Sequence, residues 1–583
     1  MISAGLLLTS LSALLQAETS AAPRVPTSYG LWVLAPALAA IGLSVLTRQV
    51  VAALFIGLLI GAYMVVPCLA ADAPFGGDSG LIAGIRLTME KYILGGIHEA
   101  PSQNFDRIKV LLFTFLVAFM VGVIGRNGGT AGMVRVVAGP STSRRRGALT
   151  AWLAGLLVFF DDYANCMIIG PTMRPVFDRL KLSRAKLALI IDTTASPDAS
   201  LALIGTWIGA MVGYIQSGLD PVFAGGAPAF LVDTNGNTVT AMGSFIQSLP
   251  YRFYPILAMI FVFLVALTGR DFGPMLSSER RALDRPDRDL PAGLDVPIAN
   301  APRPIWWLGF FPVAALVGVT LAILTVTGLA SPKTDATLAQ DALSWWEKGS
   351  AIIGNADSYI SILYGSLAAS LVAVLLTLVA RTCTLTQAMD AGLGAMAHCV
   401  PPLVVLVLAW ALSAVEQDLM LAEVLATKMQ AMNFPAHWLP LAIFVVAALI
   451  SFATGTSWGT MGILCPITIP LAAKLCGTLP PTEALTLFYA SVGSVLGGAI
   501  FGDHTSPLSS TTVLAAIGAD CDLVEHVWTQ LPYGVVSAIV SMSVGEVACA
   551  AYGQPWYYAY VVGTAMMVLI VLVLGRKTEP SFD

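Results

Sequence analysis

Long apolar runs, repeated along the whole chain, restrict this sequence more than any other feature, because about 17 to 25 such residues suffice to cross hydrocarbon as a helix. They fall near 30–47, 49–67, 108–125, 186–215, 252–269, 304–328, 352–380, 392–413, 484–517, 532–551 and 555–575. Together they predict an all-α polytopic membrane protein with about 11 spans. Charged residues make up only 11% of the chain, against about 25% in soluble domains. The net charge of −5 is spread over loops and offers no basic surface, so nucleic acid is not an expected partner. The eight cysteines form no CxxC pair and the five histidines no HExxH spacing, so neither a disulfide framework nor a metalloenzyme centre is predicted. MISAGLLLTSLSALLQAETSAAP at the start holds a short apolar run ending in small residues, without a basic beginning. Residues 1–29 therefore read as a signal-like or flexible N-terminal segment, either cleaved or retained.

Two further apolar segments, 147–180 and 437–475, behave differently. Each is interrupted in its middle by polar residues and closed by a spaced proline pair, Pro171 with Pro175 and Pro466 with Pro470. Arg126, Arg135, Arg144, Arg145 and Arg146 precede the first, and Arg174, Arg179, Lys181, Arg184 and Lys186 follow its break. Basic residues concentrate on cytoplasmic loops, so both ends of this segment lie inside and it must enter, turn and leave. The second has flanks nearly free of Arg and Lys and reads as a hairpin entered from outside. FLVAFMVGVIGRNGG (115–129) also resembles LVLAWALSAVEQD (406–418), and DTTASPDAS (192–200) resembles DHTSPLSS (503–510). Opposed hairpins in similar halves predict an inverted-repeat transporter with two re-entrant helical hairpins and broken helices. The expected halves are 30–269 and 304–583, joined by an Arg-rich cytoplasmic connector over 270–303, with the N-terminus outside.

Four polar interruptions lie at membrane depth: DDYAN (161–165), DTTASPDAS (192–200), TGTSWGT (454–460) and GDHTSPLSSTT (502–512). Non-helical backbone there must be buried in protein or line a wet cavity, and Pro197 and Pro507 are expected to break their helices. Four such breaks imply one polar centre. Its candidate ion- and proton-binding residues are Asp161, Asp162, Asn165, Asp192, Ser196, Asp198, Thr454, Thr456, Ser457, Asp503, Ser506, Ser509, Thr511 and Thr512. Hydroxyls, carboxylates and carbonyls freed at helix ends can replace the water shell of a small hard cation, and Na+ suits them better than a soft metal. A single Ser or Thr more often bonds its own helix backbone, whereas a carboxylate at this depth is functional by default. Adjacent helix residues point about 100° apart, so Asp162 is favoured as the ligand or proton carrier and Asp161 as the anchor of the tip. Glu416, Asp418 and Glu546 fall toward the ends of expected spans and are expected to be solvated.

FFDDYANCMIIGPTMRPVFDRLKLSRAKLALIIDTTASPDASLALIGTWIG (159–209), ATGTSWGTMGILCPITIPLA (453–472) and GDHTSPLSSTTVLAAIGADCD (502–522) resemble the Na+/H+ antiporter NhaC family. The likeness extends over nearly all of the chain from residue 30, and one departure is Ser510, where the family pattern often carries an acid. The resemblance implies exchange of Na+ for H+ across the cell membrane, with Asp503, Ser506, Pro507, Ser509, Thr511 and Thr512 as site residues. It further implies Na+ and H+ as the partners, lipid as the surroundings, no cofactor beyond Na+ as transported ion, and a homodimer as a possible assembly. The alternative is a Na+- or H+-coupled exchanger of a small organic acid or amino acid, which needs a counter-charge; no arginine lies within the four interruptions. A remote alternative, an intramembrane aspartyl protease using Asp161 and Asp503, lacks the required motif: Ile500 stands where its glycine should be and Tyr163 follows the acids.

Overall fold

The structure, a computed structural model, describes residues 29–47, 49–68, 80–95, 105–138, 143–203, 205–232, 238–284, 304–331, 352, 356–432 and 434–578. Nearly all of the expected N-terminal segment 1–29, and the stretch 285–303 of the connector, lie outside the described residues. Among the described residues, nine helices are long and apolar enough to cross a membrane. Two bent pairs, Arg184–Leu201 with Thr206–Ala224 and Ala241–Tyr251 with Phe253–Thr268, raise the number to eleven. The chain is a multi-pass, all-helical membrane protein. Among the described residues, a small two-stranded sheet joins Arg270–Asp271 to Arg576–Lys577 antiparallel. Helices Gly129–Ala138, Ala241–Ser248 and Gly273–Leu283 occupy stretches read from sequence as loops.

Burial sorts the helices by role. In Ser457–Cys476 and Pro481–Thr505, 89% and 78% of the membrane-length window is buried, against 22% in Trp556–Val573 and 28% in Trp307–Leu329. The first pair forms the interior, and the second pair turns rows of exposed leucine, valine and phenylalanine outward, as lipid requires.

The interior is a duplicated unit. A first hairpin, Arg144–Leu156 and Asp162–Arg179, leads into a first broken helix, Arg184–Leu201 and Thr206–Ala224. A second hairpin, Leu439–Thr454 and Ser457–Cys476, leads likewise into a second broken helix, Pro481–Thr505 and Ser510–Ala519. The halves interlock crosswise. In the first hairpin's second arm, Tyr163 meets Ser510 at 2.8 Å and Arg174 reaches the carbonyls of Ile517 and Gly518, so the arm runs parallel to the last piece of the second broken helix. In the second hairpin's second arm, Trp458 packs on Trp207 with ring centroids 5.4 Å apart, and Cys465 faces Gly218. That arm runs parallel to the last piece of the first broken helix. Because each hairpin joins the broken helix of its own half by a short turn, the hairpin mouths open at opposite ends of the bundle. This is the inverted repeat.

Three of the breaks lie close to their expected positions, and local chemistry accounts for two of them. Gly455 ends an arm at φ +68, a conformation that suits glycine, and Thr456 caps the next arm by accepting from the Gly459 N–H at 3.2 Å. Ser509 does the same for Ser510–Ala519 through the Thr512 N–H. The fourth differs. DTTASPDAS stays helical, with Pro197 carried inside Arg184–Leu201, and the chain breaks just beyond it. The cause is a contact between distant segments: the Thr206 N–H donates to the Phe160 carbonyl at the first hairpin tip, and a Cβ on Gly205 would stand 2.8 Å from that oxygen.

Candidate ion-binding site

Both hairpin tips and both helix breaks meet near the centre of the fold. Asp503, 4% exposed, receives the Ser457 hydroxyl at 3.2 Å and the Ser196 hydroxyl at 3.4 Å on its Oδ2. Ser196 lies 3.1 Å from Thr511 Oγ1, which lies 2.9 Å from Ser509 Oγ. One carboxylate thus gathers the hydroxyls of Ser196 on the first broken helix, Ser457 at the second hairpin tip and Ser509 at the second break, with Thr511 bridging Ser196 and Ser509. Asp162 sits beside the Trp207 indole and within electrostatic reach of Asp161 and Asp503. Its Oδ2 is buried with no hydrogen-bond partner among the described residues, as is Asp198 Oδ2.

The remaining candidates brace the site. Asn165 donates to the carbonyls of Gly155 and Thr194 at 2.8 and 2.7 Å, tying the first hairpin to its broken helix. Ser506 donates to the Phe452 carbonyl at 2.7 Å and ties the second pair in the same way. Thr454 bonds back to Ile450 within its own helix, Thr456 is a cap, and Thr512 reaches the Asp503 carbonyl. Asp192 belongs to a separate buried network: Gln530 Nε2 donates to its Oδ2 at 2.7 Å, and His526 Nε2 lies 3.3 Å from the same oxygen. Gln530 also donates to the His504 carbonyl. His504 is held at both ring nitrogens, by the Tyr254 hydroxyl at 2.7 Å and the Thr193 hydroxyl at 3.0 Å. His504, His526, Gln530 and Tyr254 were not among the sequence candidates. The signals available were His504 directly after Asp503, and His526 with Gln530 four apart on one helix face.

Two expectations are corrected. Glu416 and Glu546 are not solvated; they are 4% and 1% exposed, and Glu546 accepts from Ser494 at 2.8 Å. The helix carrying Glu416 runs over Leu385–Asp418, beyond the expected 392–413, so its end is packed instead of free. Asp418 is largely covered as well, paired to Lys91 at 2.7 Å and to the Tyr92 hydroxyl at 2.6 Å. An arginine also reaches a break. Arg252, fully buried, donates to the Ser200 carbonyl and lies 3.2 Å from Ser248 Oγ.

Opposed hairpins, two broken helices and a buried acid ringed by hydroxyls define a secondary-active transporter. A family model described as "Na+/H+ antiporter family" matches residues 218–549, and the chain belongs to that family. An uncharacterized protein of Haemophilus influenzae is 27% identical over 94% of this chain and 96% of its own length. The malate-2H+/Na+-lactate antiporter of Bacillus subtilis is 37% identical over 18% of this chain and 21% of its own. The Na+/H+ antiporter NhaC of Alkalihalophilus pseudofirmus is 34% identical over 25% and 32%. The YdaH transporter of Alcanivorax borkumensis shares the fold, with a TM-score of 0.57 at 17% identity over 90% of this chain and 99% of its own.

Proposed function

We propose that this protein exchanges Na+ for H+ across the cell membrane, with its basic end toward the cytoplasm. One observation carries the reading: Asp503 is buried at the junction of both halves and, among the described residues, is met by hydroxyls and not by a lysine or arginine. A buried carboxylate without a basic partner needs a proton or a metal cation for company. Hydroxyl oxygens around it suit Na+, and the nearby unpartnered oxygen of Asp162 adds a further ligand. Proton and Na+ then exclude one another, so loading with one releases the other. The match to named Na+/H+ antiporters supports this cargo.

The test is Na+-driven proton flux in proteoliposomes, measured against pH at several Na+ concentrations. Asp503→Asn and Asp162→Asn should abolish exchange, and apparent Na+ affinity in the native protein should fall about tenfold per unit of falling pH while the site is protonated. A half-saturation independent of pH, or full activity in both variants, overturns the reading.

A second reading, coupled exchange of a small organic anion, draws support from Arg252. Its guanidinium is buried beside a break, where an anion would need a counter-charge, and its Nε has no partner among the described residues. The organic-acid antiporter among the relatives points the same way. Flux driven by malate or lactate, and lost in Arg252→Gln, would establish it in place of simple cation exchange.

A further inference from the structure

Glu416 stands apart from the central site in a cavity of its own. The cavity, about 150 Å³, lies between the helix Leu385–Asp418, the last piece of the first broken helix and the second arm of the second hairpin. Its wall includes Ser413, Glu416, Gln417, Pro221, Pro466 and Pro470. Glu416 is 4% exposed, and neither carboxylate oxygen has a hydrogen-bond partner among the described residues. A water molecule takes about 30 Å³ of liquid, so the space suits a small ion with a few waters.

Prolines in this wall withdraw the usual donors of helix carbonyls. Proline inside a helix supplies no N–H to the carbonyl four residues before it. Pro221 therefore leaves the Ser217 carbonyl without its usual donor, and the Ser413 hydroxyl takes that place at 3.0 Å. Pro470 withholds the same donor from the carbonyl of Pro466, itself in the wall. The unpartnered Glu416 carboxylate, buried beside a cavity whose wall also carries Ser413, Gln417 and Pro466, gives an oxygen ligand set for a hard monovalent cation. The polar centre is remote: Pro466 lies nine positions beyond Ser457 and Pro221 fourteen beyond Trp207, roughly 14 and 21 Å along the helices.

We propose that this cavity is a second cation site, where Glu416 holds a partly hydrated Na+ on the path between the centre and the end of the bundle at which the second hairpin opens. It lies beyond the central carboxylates and needs neither Asp162 nor Asp503.

Equilibrium binding of radioactive Na+ to the full-length protein in lipid nanodiscs tests it. The native protein should bind one Na+ more per chain than Glu416→Gln, and the loss should recur in an Asp503→Asn background, where the central site is disabled. Glu416→Asp should keep the capacity at weaker affinity, which separates ligation from a folding defect. In that background, Na+ should also shift an infrared carboxylate band that Glu416→Gln removes. Unchanged capacity in Glu416→Gln, or a Glu416 band indifferent to Na+, as a purely protonated carboxyl would show, overturns the proposal. Failure of the central reading would appear instead in the Asp503→Asn protein alone.

Discussion

The two hairpins occupy equivalent places in the repeat and are built from different chemistry. At its tip the first carries acids, Asp161 and Asp162, while its broken helix offers the hydroxyl of Ser196. The second reverses this, with the hydroxyl of Ser457 at the tip and the acid, Asp503, on the broken helix. Charge and hydroxyl have changed places between the halves, so a pseudo-symmetric backbone encloses an asymmetric site. The helix ends differ too. Ser200, near the end of one broken helix, gives its carbonyl to buried Arg252, whereas the Asp503 carbonyl of the other accepts the Ser506 N–H at 3.2 Å and the Thr512 hydroxyl at 3.4 Å. A helix C-terminus carries partial negative charge. One end is therefore met by a cationic side chain, and the other by the neutral donors of Ser506, Thr512 and Gln530.

The mouths diverge further. The first is clamped by a buried ion cluster: Lys186 to Asp271 at 2.7 Å, Arg144 to Glu279 at 2.5 Å, and the Ser183 N–H to Glu279 at 2.8 Å. The second has His437 to Glu483 at 2.5 Å, with both side chains more than a third exposed. The largest expected effect therefore lies at the first mouth. Lys186→Met would leave buried Asp271 without its cationic partner, and removal of one member of a buried pair costs about 3–5 kcal/mol. Thermal unfolding in detergent should show that loss. A shift as small as that of a surface substitution would mean that the first mouth is no clamp.

The tips supply an intermediate effect. A hydrogen bond to a charged group contributes about 1.5–3 kcal/mol, so Ser457→Ala should weaken Na+ half-saturation by roughly tenfold or more. Ser196→Ala should weaken it less, because its bond to Asp503 is longer and Ser196 also sits against Thr511. Half-saturation in Na+-driven flux, measured for both variants, checks the order. Equal losses would show that the two halves contribute alike, and a larger loss at Ser196 would reverse their roles.

What the sequence could reveal follows from how local each cause is. Trp307–Leu329 and Trp556–Val573 fall almost where hydropathy put them, near 304–328 and 555–575, because lipid exposure is written residue by residue. The break at Gly455 is also local, since glycine and a capping threonine suffice. The break after Leu201 is not, for it is fixed by Thr206 meeting Phe160. Pro197, the visible signal, was absorbed into a helix. Asp192 was visible as an acid at membrane depth, but its partners His526 and Gln530 lie more than three hundred residues away. Glu416 shows the same limit, because its burial comes from two distant helices closing over the end of its own.

The smallest expected effect lies at the second mouth. Glu483→Gln removes the charge facing His437 and keeps the shape of the side chain. Both groups reach water, so the charge they lose to each other is largely recovered by solvation, and such pairs contribute about 0.2–1 kcal/mol. The unfolding transition should therefore move far less than in Lys186→Met under the same detergent and salt. Raising the salt should shrink even that difference, since exposed pairs are screened within about 10 Å at 0.1 M, while the buried cluster of the first mouth should respond little. If Glu483→Gln proves as damaging as Lys186→Met, the second hairpin is held as firmly as the first, and the contrast between a clamped and a lightly held mouth is wrong.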